Sequence, residues 1–89
     1  MSFNFDSMTL KYERFTGRKW KHGSIDNDMT PIRKNFPVVS LEGKRELENN
    51  MHTVRDWCQE QFGDDWIYDW NDFYFVRQQD AVMFALRWL

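Results

Sequence analysis

Cys58, His22 and His52 are the side chains best suited to nucleophilic or general-base chemistry, and the chain has one cysteine and two histidines in all. A thiol nucleophile needs a base within hydrogen-bond reach. His52 and Cys58 fall on one stretch of helical pattern. Their spacing turns through about 600°, which leaves them on opposite sides of a helix. Cys58 instead lies in an apolar stripe and reads as a buried structural thiol. No glycine-rich phosphate loop, Gly-x-Ser-x-Gly elbow or His-Glu-x-x-His motif is present. The expected protein is not an enzyme and has no cofactor.

Metal chemistry fares no better. Asp26-Asn27-Asp28 begins like a calcium loop, but Pro31 and Pro37 stand where that loop needs its glycine and its bidentate glutamate. Two histidines and a cysteine this far apart make a weak zinc set. The triplet reads as a solvated turn, since short Asx side chains bond their own backbone.

Two segments carry binding chemistry. The first is basic and aromatic, with Lys11, Arg14, Arg18, Lys19 and Lys21 interleaved with Tyr12, Phe15 and Trp20. Cations take up phosphate charge while aromatic faces stack bases, so this segment is a candidate nucleic-acid surface. The second is acidic and aromatic. Asp64, Asp65, Trp66, Tyr68, Asp69 and Trp70 sit in a run from Asp56 to Val76 that holds six acids and no base. Carboxylates spread among aromatics suit a protein contact surface, or an imitation of a phosphate row. The net charge of −2 is small for a nucleic-acid mimic. It hides a split between a basic half, residues 1–37 with seven bases and four acids, and an acidic half with five bases and ten acids. Such a split steers charged partners, or it simply draws the two halves together within one fold.

Eighty-nine residues make one small domain. Such a domain buries only about 60–65% of its unfolded surface. An aromatic content of 18% offsets part of that deficit. Five tryptophans are more than so small a core needs, and an exposed tryptophan is a candidate contact residue. One unpaired cysteine suits a reducing compartment. Met1 to Leu10 lack the basic start and apolar run of a secretory signal, and no stretch approaches the length of a membrane span. The expectation is a cytoplasmic protein with no membrane partner.

The elements that must position these groups follow from periodicity. Met8 to Phe15 alternates like a half-buried strand, Thr16-Gly17 can turn the chain, and Arg18 to Ile25 can return as a second strand. Pro31 and Pro37 bracket an extended connection, with a short strand over Phe36 to Val39. Leu41 to Phe62 reads as one long helix with the stripe Leu47, Met51, Val54, Cys58 and Phe62, a candidate N-cap at Ser40 and a terminating Gly63. Trp66 to Trp70 alternates as a strand with Trp66, Tyr68 and Trp70 on one face. Asn71-Asp72 turns it into a strand at Phe73 to Arg77, and a helix from Gln79 to Trp88 closes the pattern. The sum is an α+β two-layer domain spanning residues 1–89. Its long helix and short C-terminal helix lie on one face of an antiparallel sheet. Residues 1–7 and 26–37 are expected to be extended or mobile. Phe73, Phe75, Phe84 and Trp88 are expected in the core.

The ending Phe73-Tyr74-Phe75-Val76-Arg77-Gln78-Gln79-Asp80-Ala81-Val82-Met83-Phe84-Ala85-Leu86-Arg87-Trp88 resembles the C-termini of a family of small uncharacterised proteins of tailed bacteriophages. These close with an aromatic strand, an Asp-Ala pair and a Phe-x-Leu-Arg-Trp tail. The resemblance covers about the last fifth of the chain. It implies a phage context, either interference with a host factor in the host cytoplasm or a minor part of a virion, and brings no catalytic residues with it. The expected function is a non-catalytic protein-interaction module that binds a host or phage protein through the acidic–aromatic hairpin. The alternatives are a minor virion or assembly protein, and a nucleic-acid-binding or DNA-mimicking inhibitor. A homo-oligomer is permitted by the surplus of tryptophan and by the nearly all-apolar terminal helix.

Overall fold

The computed structural model describes residues 7–21 and 27–89. Its helices are α1 (Ser7–Thr16), α2 (Thr30–Asn35), α3 (Arg45–Glu48), α4 (Met51–Phe62) and α5 (Gln78–Trp88). Its strands are β1 (Val38–Ser40), β2 (Trp66–Asp69) and β3 (Asp72–Phe75). The strands form one antiparallel sheet in the order β1-β3-β2, with β3 in the centre. Trp66 pairs with Phe75 and Ile67 with Tyr74 across the β2–β3 hairpin, while Val38 pairs with Tyr74 across β1–β3.

The α+β class, the antiparallel sheet and the C-terminal helix all stand. The layer count does not. Alternation along β2 and β3 sends Trp66, Tyr68, Phe73 and Phe75 to one face and Ile67 and Tyr74 to the other. The first set packs with α4 and α5 around Val54, Cys58, Phe62 and Phe84. The second set packs with Tyr12 and Phe15 of α1 and Ile32 of α2. Helices therefore cover both faces of the sheet, and neither the five strand aromatics nor Ile67 is left exposed.

The N-terminal elements correct the sequence reading. Met8 to Phe15 is helix, not strand. Met8, Lys11, Tyr12 and Phe15 follow the i, i+3, i+4, i+7 spacing of a helical face, and Lys11, expected on a basic surface, takes a buried position on it. Gly17 ends this helix, with φ +72 and its N–H donating to the Glu13 carbonyl at 2.8 Å. Arg18 to Lys21 forms no strand, and the remainder of that expected strand, with Asp26, lies outside the described residues. The expected extended link between the prolines contains α2 instead. Pro31 sits in its first turn, where a missing N–H costs nothing.

The expected helix over Leu41 to Phe62 divides into α3 and α4. Asn50 departs from helical backbone, with φ −130 and ψ 33, and its side-chain amide donates to the Glu46 carbonyl at 2.9 Å. Asparagine thus satisfies locally a carbonyl that a continuous helix would have used. Ser40 is not an N-cap; its hydroxyl accepts from the Glu42 N–H in a turn. Gly63 ends α4 as expected, yet its φ of 60 comes with ψ −116, outside the left-handed helical region. The hairpin turn is Trp70-Asn71, one residue earlier than expected, so Asp72 opens β3.

Candidate functional site

The acidic–aromatic hairpin is mostly structural. Trp66 is fully buried, and its indole N–H donates to the Gln59 side chain at 3.3 Å. Tyr68 is half-buried on the same face, with the Arg55 guanidinium 4.4 Å from its ring centre. Desolvation holds the Tyr68 hydroxyl above the usual phenol range. Asp65 accepts from Arg14 at 2.7 Å and from Arg77 at 3.2 Å, which clasps the start of β2 to α1 and to the entry of α5. Asp69 accepts from Arg33 of α2 at 2.9 Å. Asp64 remains at the surface, 4.0 Å from the buried Lys11 amine.

Trp70 is the exception. It leaves the strand's face at the hairpin tip, in a positive-φ conformation at 56°, and is 85% exposed. Backbone of that kind is uncommon outside glycine and asparagine and marks a place to look for function. The tip is anchored from below. Asn71 accepts from the Leu41 N–H at 2.8 Å through its carbonyl, and the Arg33–Asp69 pair lies beside it. Of six expected contact residues, the structure leaves Trp70 and Asp64 presented to solvent, and removes Trp66 to the core.

The basic segment disperses in the same way. Lys11 is fully buried, its amine donating to the Gly63 carbonyl at 2.6 Å and lying 4.6 Å from the centre of the Trp66 ring. Desolvation lowers its pKa from 10.5 to about 8, against the opposing pull of Asp64. Arg14 is committed to Asp65, and Arg18 lies 3.9 Å from Asp28. Trp20 packs edge-on to Tyr12 at 5.3 Å, part of the core behind the sheet. Lys19 and Lys21 stay exposed. The charge split between the two halves is thus spent in large part within the fold.

Catalytic chemistry finds no assembled set among the described residues. Cys58 is fully buried, and desolvation drives its thiol far above the usual range, the opposite of an activated nucleophile. His52 is exposed on α4, and His22 lies outside the described residues. The described residues hold no group of three His, Cys, Asp or Glu side chains placed for a metal ion. No helix among them is long and apolar enough to cross a membrane.

One feature has no counterpart in the sequence reading. A cleft of about 580 Å³ opens between the Gly43–Leu47 segment and the end of α5, with Lys44, Arg45, Leu47, Arg87 and Trp88 on its walls. Lys44 and Arg45 are far in sequence from Arg87, and their glutamate neighbours hide the local charge, so only the fold brings these cations together.

These features define a small α+β domain with helices on both faces of its sheet and one tryptophan presented at a hairpin tip. Comparison of the chain with protein-family models, curated proteins and solved structures finds no match.

Proposed function

We propose that the protein is a non-catalytic protein-interaction module encoded by a tailed phage, and that it acts by binding a host or phage protein through the β2–β3 tip. The observation that carries this reading is Trp70. Every other tryptophan among the five is buried or packed against a core, while Trp70 is 85% exposed on an anchored turn. Folding gains nothing from that placement. An exposed aromatic on an anchored turn is a ready anchor for a partner's pocket, because the backbone beneath it is already ordered before it docks. The phage context rests on the C-terminal resemblance.

The nucleic-acid alternative has less support from the geometry, since Lys11, Arg14 and Trp20 are engaged in core packing or an ion pair. Mimicry of a phosphate row is weakened likewise, with Asp65 and Asp69 held by arginines.

The test is affinity capture from lysates of host cells, infected and uninfected, with Trp70→Ala and Asp64→Lys beside the parent protein. Loss of a specific partner by Trp70→Ala, at unchanged thermal stability, supports the assignment. Equal recovery by all three proteins refutes the tip as the contact surface. Mass spectrometry of purified particles separates the virion alternative, because stoichiometric presence in the particle favours an assembly role.

A further inference from the structure

We infer that the cleft between the Gly43–Leu47 segment and the end of α5 is a binding site for a small organic anion, a phosphate or carboxylate carried on a planar apolar body. Three cations, Lys44, Arg45 and Arg87, line it against a single carboxylate, Glu46. No described carboxylate forms an ion pair with any of the three, whereas Lys11, Arg14, Arg18, Arg33 and Arg77 each have one. Lys19, Lys21 and Lys34 also lack such a pair, but they are scattered over the surface rather than gathered on one cleft. The arrangement is that of cations held ready for an anion supplied from outside.

Trp88 bears on the same cleft. The Trp88 indole N–H is buried and has no acceptor among the described residues. That N–H is sealed from solvent, so it reports on the cleft rather than donating to a ligand within it. Arg87 lies over the Trp88 ring at 4.2 Å, so the side chain that covers the indole is also one that would hold the anion. Leu47 and the Trp88 ring supply the apolar wall for a planar body. At about 580 Å³ the cleft is large enough for a single-ring compound.

The five indole N–H groups give separate signals in a two-dimensional ¹H–¹⁵N spectrum, and a Trp88→Phe protein assigns the one of interest. Phenyl phosphate is the first probe, with benzoate, inorganic phosphate and benzyl alcohol as comparisons. The expected result is a saturable shift of the Trp88 signal by phenyl phosphate with Kd near or below about 1 mM. Benzyl alcohol should cause none. Arg45→Gln and Arg87→Gln, both at exposed positions, should each weaken binding about tenfold with unchanged thermal stability. A response to inorganic phosphate alone would mean that the charge, not the ring, is recognised, which overturns the planar-body assignment. An unmoved Trp88 signal with all four probes, or equal binding by the arginine variants, would overturn the site itself.

Discussion

Replacing Lys11 by methionine tests the most unusual placement in the fold. The two side chains have similar length, so the substitution keeps the packing and removes the amine. In the parent protein that amine is fully buried and desolvation lowers its pKa from 10.5 to about 8. Below pH 8 the lysine is protonated in both folded and unfolded chains, and the cost of burying its charge is fully present. Between pH 8 and 10.5 the unfolded chain holds a proton that the folded chain has released, so stability rises with pH across that window. Linkage gives about 1.3 kcal/mol of added stability between pH 7 and 9 for this one group. Cys58 acts in the opposite sense, since its thiol is raised in the fold and the unfolded chain loses that proton first, near pH 9. The tyrosines Tyr68 and Tyr74, also raised, follow above pH 10. Comparing parent and Lys11→Met at each pH cancels these contributions. Urea unfolding followed by tryptophan fluorescence at pH 7, 8 and 9 should show the parent gaining on the variant by about 1 M in midpoint, at the denaturant slope usual for so small a domain. Parallel curves across that range would refute the reasoning, because they would mean the lysine titrates alike in both states and is not desolvated.

Three further substitutions probe the frame. Asp65→Asn leaves Arg14 and Arg77 without their shared carboxylate; both arginines are about half exposed, so a loss of about 1–2 kcal/mol is expected, shrinking in concentrated salt. Gly63→Ala meets no neighbouring atom, but its φ of 60 with ψ −116 is hostile to an L side chain, and about 1–3 kcal/mol should be lost in chemical denaturation without change in the native spectrum. Trp66→Ala should cost about 3–5 kcal/mol by the same measurement if the residue is core, whereas a contact residue would tolerate the change as Trp70→Ala should.

The legible parts of the fold were those whose apolar side chains alone set the period. Met51, Val54, Cys58 and Phe62 mark α4 because each fills the core, and Phe73, Phe75 and Phe84 belong there as expected. Trp88 packs at the edge of the same core. The N-terminal helix was hidden because Lys11 occupies one of its four inward positions. Counting it as polar left Met8, Leu10 and Tyr12 as a false strand alternation, although Leu10 is exposed in the fold. The helix α2 was hidden by reading Pro31 as one bracket of an extended connection when it stands at a helix start. For the candidate site, alternation placed Trp66 and Tyr68 together correctly. It could not say that their shared face is the covered one, nor that the backbone at Trp70 turns that ring out. The covering depends on α4 and α5 packing over that face, and the turned-out ring on the positive-φ turn at Trp70, neither of which local alternation encodes.

The two cores of this domain draw on the chain unequally. The core beneath α4 and α5 is built wholly from residues 39–88. The core behind the sheet takes its residues from positions 8–36, together with Ile67 and Tyr74. The first unit is therefore complete without the second, while the second has only the back of the sheet to rest on. Local opening should follow that order. The N-terminal helices should release as one cooperative piece, held by the apolar contact of Tyr12, Phe15 and Ile32 with Ile67 and Tyr74, by the Lys11–Gly63 hydrogen bond and by the Arg14–Asp65 and Arg33–Asp69 clasps, while the hairpin and its helices persist beneath them. Opening of that kind would uncover Ile67, Tyr74 and the Lys11 cradle without melting the fold. Ionic strength, which loosens the clasps and leaves the apolar contact intact, then sets how often the sheet is bare.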